Sequence, residues 1–214
     1  MKIYHGSEVI VTKPMLKLGK SNNDFGKGFY CTNDIEKAKE WACKNNKTGV
    51  VNSYDLNIDK LKVLDLTDKK YNVLNWISIL LYNRTFSIDN QLALSSKEFL
   101  IKNYYIDTNA YDIVIGYRAD DSYFAYASSF IENSLSYESL QKAMLLGKLG
   151  KQIVLVSNKA FDNLKYLNNT LVDKDEYYPK FINNDILARE AYRKIKSLDN
   201  ETYVIDIIRK ENKK

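Results

Sequence analysis

The chain has 214 residues, 45% of them hydrophobic, 28% charged and 13% aromatic, and its formal net charge is +5. That length suits one domain able to bury roughly 70% of the unfolded chain's surface, and 8 glycines with 2 prolines exclude collagen-like and low-complexity chains. Two cysteines, Cys31 and Cys43, and a lone histidine, His5, exclude a disulfide scaffold and any two-histidine metal site, a pattern that suits a reducing cytoplasm. The longest nearly apolar run, 76–82, is far short of the ~20 residues that span a bilayer, and the N-terminus turns polar before a signal-peptide core can form. A cytoplasmic protein without membrane contact is expected. The lysines are scattered among acids and asparagines, so the mild positive excess keeps a nucleic-acid target open without arguing for one.

Segments 2–5 and 8–12 are rich in Ile, Tyr and Val and predict strands. Asn33 and Asp34 form a capping pair ahead of Ile35, Ala38, Trp41 and Ala42 at helical spacing, which predicts a helix over 34–45. Strands at 50–56 and 61–66 follow, then helices at 70–82 and 88–104 that read as an insert or lid over 67–110. A strand at 111–116, a helix at 136–147 and a strand at 152–157 come next. The helix at 180–197 carries Ile182, Ile186, Leu187, Ala191 and Ile195 on one stripe, a core face rather than a cofactor box. A strand at 202–208 closes the chain. Strands at both ends with helices between them predict an α+β fold, one unit over 1–214.

Three segments carry chemistry. His5 and Gly6 end the first strand, and a glycine there lets a ligand approach the backbone; a solitary histidine is equally an ordinary hydrogen-bonded residue. Segment 24–32, Asp-Phe-Gly-Lys-Gly-Phe-Tyr-Cys-Thr, puts two glycines before aromatic residues and a helix start. It cradles a phosphate or simply turns between strands, and it lacks the dinucleotide fingerprint because Cys31 fills the third glycine position. Segment 147–157 breaks at glycines into an apolar strand, with Gln152 at its start either facing water or serving a site.

Taken in order, His5-Gly6, the Gly-Lys-Gly-Phe-Tyr run of 26–30 and Gln152 resemble the ADP-ribosyltransferase superfamily, in the branch of diphtheria toxin and the poly(ADP-ribose) polymerases. The resemblance extends to Thr32, where that family has a small residue, to Lys37, and to Trp41, where it has a second stacking tyrosine. Tyr-Asp-Ile-Val-Ile-Gly at 111–116 and Ala-Asp-Asp at 119–121 resemble a bacterial toxin-like family of that superfamily, so most of the chain is covered.

The resemblance implies a split β-sheet core with a helical insert, and NAD as a substrate with no metal. Tyr30 and Trp41 would hold the nicotinamide ring between aromatic faces, each contact worth roughly 0.5–1.5 kcal/mol beyond area burial. Gly6 would offer its backbone to the carboxamide, and His5 would hold ribose hydroxyls. Ala38 stands where the branch often has a hydroxyl donor, so Ser7 or Thr32 would have to substitute. Gln152 replaces the family's usual glutamate; it keeps a hydrogen bond to the ribose 2′-hydroxyl but supplies no charge and no base. Asp120 or Asp121 would then serve as base or acceptor, or else cap a helix beginning near Ser122. A Cys31 thiolate with His5 as base is a rival, weakened because strand alternation turns Cys31 away from the face of Tyr30.

The implied activity is mono-ADP-ribosylation of a macromolecular acceptor, protein in preference to nucleic acid, by a toxin-like enzyme that a partner antitoxin protein would restrain. The alternatives are an NAD glycohydrolase and a non-catalytic sensor of NAD or ADP-ribose.

Overall fold

A computed structural model of the chain describes residues 1–118, 121–144, 150–194 and 201–213. The fold is α+β, built on two sheets. Strands β1 (Lys2–Ser7), β3 (Gly49–Leu56) and β7 (Leu164–Val172) form an antiparallel sheet in the order β1-β3-β7. Strands β2 (Phe29–Cys31), β6 (Lys151–Leu155), β5 (Ile113–Tyr117) and β4 (Val63–Asp65) form the second, in that order. One two-residue bridge joins the sheets: Tyr4 N–H donates to Thr32 O at 2.8 Å, and Thr32 N–H returns a bond to Tyr4 O at 2.9 Å.

Helix α1 (Ile35–Ala42) starts where the sequence predicts it, because the Asp34 carboxylate accepts from the N–H groups of Glu36 and Lys37. It lies so close over β1 that a Cβ on Gly6 would stand 2.1 Å from Ala38 O. Gly6 is therefore demanded by helix packing, quite apart from any ligand.

Strands β4 and β5 are parallel, so no hairpin can join them, and the chain must cross over. Helices α2 (Val73–Asn83) and α3 (Gln91–Tyr104) are that crossover. The 67–110 insert is accordingly core rather than lid. Trp76, Ile77, Leu80 and Leu81 of α2 and Leu100 of α3 pack with Leu64, Val114 and Val154 of the second sheet in the largest apolar cluster. Helices α4 (Asp121–Ile131), α5 (Tyr137–Met144) and α8 (Val204–Glu211) add Phe130, Leu140 and Val204 to it.

Other expectations change as well. Residues 8–12 form no strand: Val11 N–H donates to Asn52 Oδ1 at 2.8 Å and the Asn52 amide donates to Val9 O at 3.2 Å, so side chains take the bonds a partner strand would have made. Segment 202–208 belongs to a helix, because Val204, Ile207 and Ile208 recur at helical spacing against the core and Asp206 accepts from Tyr203 N–H at 3.1 Å. β7 escapes detection because it is exposed at most positions and shows no apolar alternation; pairing with β3 along its length makes it a strand. Helix α7 (Lys174–Arg193) begins six residues before 180, with Pro179 inside it, and its stripe is no core face: Ile182, Ile186 and Leu187 are exposed. Short α6 (Asn158–Asp162) links β6 to β7. Among the described residues no helix is long and apolar enough to cross a membrane.

Candidate functional site

A cleft of about 840 Å³ opens where the two sheets meet, and His5, Gly6, Tyr30, Thr32, Trp41 and Gln152 all line it. Strand register explains the convergence. Tyr30 pairs with Val154 across β2 and β6, and Gly116 pairs with Gln152 across β5 and β6. Paired residues, and residues two apart, share a sheet face, so Tyr30, Gly116 and Gln152 lie on one side. Cys31, Ile153 and Ile115 lie on the other, packed around a separate apolar cluster with Ile3, Tyr54 and Leu155. Gly116 itself leaves room for Phe25: a Cβ there would come within 2.6 Å of the Phe25 ring. The glycine of the 111–116 run thus seats the turn that carries Tyr30.

His5 Nδ1 lies 2.7 Å from Tyr30 O. A carbonyl oxygen only accepts, so Nδ1 bears the proton. Burial pushes the imidazole below its ordinary range, and the charges of Lys44 and Arg118 act in the same direction against the hydrogen bond to Tyr30. The neutral ring keeps Nε2 as an acceptor in the cleft wall, with Phe29 packed on it at 4.4 Å between centroids. The unfolded chain takes up this proton more readily than the folded one, so stability is gained as pH rises through the unfolded value near 6.5 and lost as pH falls below it. Urea unfolding between pH 7 and pH 5 should therefore show a decline that His5→Phe flattens.

Tyr30 offers a ring face and nothing acidic. Its hydroxyl donates to Gly26 O at 2.7 Å and accepts from Phe25 N–H at 3.0 Å, and burial pushes its pKa far up. Thr32 Oγ1 accepts from Asp34 N–H at 3.2 Å. Ser7 lies outside the cleft wall; its hydroxyl donates to Val9 O and accepts from the Asn52 amide at 3.1 Å, which spends it on the neighbouring loop.

Gln152 is only 8% exposed, and its Oε1 has no hydrogen-bond partner among the described residues. A buried amide oxygen without a donor costs about 1–3 kcal/mol, which a donor on a bound ligand would recover. Asp120 and the side chain of Asp121 lie outside the described residues, although α4 does begin at Asp121.

Trp41, expected to wall the nicotinamide, lines the cleft with cations on its ring. Arg118 Cζ sits 3.6 Å and Lys44 Nζ 4.1 Å from its ring centroid, and Phe181 of α7 meets it edge-on at 5.8 Å. Lys20, Lys44, Arg84 and Arg118 line the cleft against Asp24 and Asp185, so cations outnumber acids there.

A family model described as "Protein of unknown function (DUF3990)" matches residues 1–166. The chain belongs to DUF3990. No curated protein and no solved structure matches it. The matched span of this DUF3990 chain holds the cleft residues from His5 to Gln152, while Phe181, Ile182 and Asp185 of the wall come from α7 beyond it.

Sequence reasoning missed Arg118, Lys44 and Asn52. Arg118 stands two residues after Gly116, a spacing that pointed to the cleft face once Gly116 was placed. Asn52 is one of three polar residues in its strand, with Ser53 and Asp55; fully buried, its amide donates to Ser7 Oγ and Val9 O, and its Oδ1 accepts from Val11 N–H. The Cys31 thiol is buried, and burial pushes its pKa well up, away from nucleophilic use. Cys31→Ser should cost about 1–2 kcal/mol in thermal unfolding, the cost of a hydroxyl in an apolar site.

Proposed function

We propose that this DUF3990 protein is an NAD-dependent mono-ADP-ribosyltransferase. The observation that carries the reading is Gln152 Oε1, buried and unpartnered in a cleft it shares with the His5 imidazole and the Tyr30 ring. The nicotinamide ribose of NAD carries hydroxyl donors that suit both acceptors, Gln152 Oε1 and His5 Nε2. The Tyr30 ring, its hydroxyl held by Gly26 and Phe25, gives the nicotinamide a fixed apolar face.

In the reaction the bond from ribose C1′ to the nicotinamide nitrogen breaks, and its electron pair leaves with neutral nicotinamide. Positive charge passes to the sugar, and the acceptor attacks C1′ from the opposite face, losing its proton to a base. The dipole of the Gln152 carbonyl helps orient the 2′-hydroxyl, but the amide brings no negative charge to the developing cation. Transfer is therefore limited to acceptors that are already nucleophilic or are deprotonated by another residue, and growth of a polymer is disfavoured. Asp120 and Asp121 are the bases that the sequence resemblance proposes.

The neutral Gln152 also favours a second reading, a sensor that binds NAD or ADP-ribose without turnover. Product analysis separates these. Purified protein incubated with adenine-labelled NAD and a bacterial lysate should release nicotinamide and label a macromolecule. Release with free ADP-ribose alone would make the protein a glycohydrolase, and binding without release would make it a sensor. Gln152→Ala should reduce kcat about 10- to 100-fold with a smaller change in NAD affinity, since its contact tightens as charge reaches the ribose. Growth arrest on expression, relieved by a partner antitoxin protein, is the corresponding cellular expectation.

A further inference from the structure

The chain from 9 to 20 reads Val-Ile-Val-Thr-Lys-Pro-Met-Leu-Lys-Leu-Gly-Lys, and it leaves apolar side chains in water. Val9, Ile10, Met15 and Leu18 are all exposed, from 40% at Met15 to 70% at Leu18. Single apolar residues on a surface are ordinary, but four within ten residues form a patch of the kind that meets a partner. Lys13, Lys17 and Lys20 are interleaved with them, exposed and in no ion pair among the described residues. No acid stands between Glu8 and Asp24, and Glu8 itself is held by Lys47 at 3.3 Å and Asn45 at 2.9 Å. The backbone of this loop is fixed. Buried Asn52 bonds Val9 O and Val11 N–H, and buried Tyr54 donates its hydroxyl to Val11 O. At the far end Gly19 packs on Gly28 so closely that a Cβ would lie 2.8 Å from Gly28 O. Two buried polar side chains of β3 thus hold an apolar loop outward, where hydrophobicity alone would fold it in. A surface already held in its binding shape loses less entropy when a partner arrives.

We infer that residues 9–20 are the docking surface for the protein acceptor, and that they select an acceptor whose contact face carries carboxylates among apolar side chains. The inference rests on the transferase reading above for what happens to the partner, whereas docking itself needs only the loop. Position links the loop to the reaction. Val11, Pro14, Met15, Leu18 and Lys20 line the same cleft as His5 and Gln152, so a partner seated on Val9, Ile10, Lys13 and Lys17 stands at its mouth. The lysines steer and orient an acidic partner, and the apolar side chains supply the contact from which water is excluded. A protein suits this place better than a lipid surface, because a bilayer laid on the loop would cover the cleft that NAD must enter.

Fluorescence anisotropy with labelled peptides tests the docking on the full chain. A short peptide alternating glutamate with leucine should bind, and more weakly as salt rises. The same peptide with lysine for glutamate, or with serine for leucine, should bind at least about ten-fold more weakly. Lys13→Glu combined with Lys17→Glu, and Val9→Ser combined with Ile10→Ser, should each weaken the glutamate–leucine peptide about ten-fold or more. Thermal unfolding should be unchanged in both, because these side chains are exposed. In a bacterial lysate with adenine-labelled NAD, both double variants should label protein about ten-fold less, while nicotinamide release in buffer alone stays within about two-fold. A parent protein that ignores the glutamate–leucine peptide overturns the docking surface, as does equal binding of the lysine peptide. Capture of phosphatidylserine vesicles in place of the peptide, lost in the same variants, also overturns it and makes the loop a lipid contact. A bound peptide that stops nicotinamide release overturns the acceptor role and makes the loop the seat of an inhibitor. The two proposals fail separately. Peptide binding that depends on Lys13 and Lys17 without NAD cleavage would keep the docking surface and sink the transferase. Protein labelling unaltered in both double variants would do the reverse.

Discussion

Replacing His5 with alanine should lower NAD turnover by roughly 30- to 1000-fold, equivalent to about 2–4 kcal/mol of barrier. The expectation follows from the tautomer. Tyr30 O takes the Nδ1 proton, so His5 can only accept at Nε2, and a ribose hydroxyl is the donor that the proposed substrate brings. Losing that bond frees the sugar at the moment its C1′ becomes cationic, which raises the barrier more than it weakens the ground state. The rate should also fall as pH drops, because protonation of Nε2 removes the acceptor; burial and the Lys44 and Arg118 charges put that transition below the ordinary histidine range. Single-turnover release of nicotinamide, measured from pH 5 to 8, reads both effects. Unchanged turnover in both His5→Ala and Gln152→Ala would remove the cleft from the reaction altogether.

Gly6→Val should destabilise the fold by about 3 kcal/mol or more, and the alanine variant by only somewhat less. The first added carbon already stands 2.1 Å from Ala38 O and 2.8 Å from Ala42 N, both backbone atoms of α1. No rotamer change relieves such a clash. Helix α1 would have to lift from β1, taking with it Ala38 and Ala42, which pack on Val51 and Val172, and moving Trp41 in the cleft wall. Urea unfolding should show a markedly lower midpoint. A valine variant as stable as the parent would mean that helix and strand sit farther apart than the structure places them.

Local signals carried much of this architecture. The Asp34 cap, the helical spacing after it and the apolar strands at 50–56 and 111–116 act between near neighbours in sequence, so they were legible. The positions singled out in the sequence also converge in space: His5, Tyr30, Trp41 and Gln152 line one cleft. The loop at 8–11 was not legible, because its backbone partner is the side chain of Asn52, 41 to 43 residues away. Segment 202–208 misled because a short apolar run fits either period until a packing face is known.

The sequence by itself determined the α+β class and the set of side chains able to do chemistry, since composition, caps and periodicity are properties of contiguous residues. Only the tertiary structure decided what those side chains are for. The Gly6 position is reserved for the passage of α1, Ser7 for a loop and the Tyr30 hydroxyl for the turn at Gly26. Trp41 packs against Arg118, the residue after the end of β5. Each of these assignments depends on partners distant in the chain or on sheet pairing, and such contacts come into being only when the two sheets close on each other.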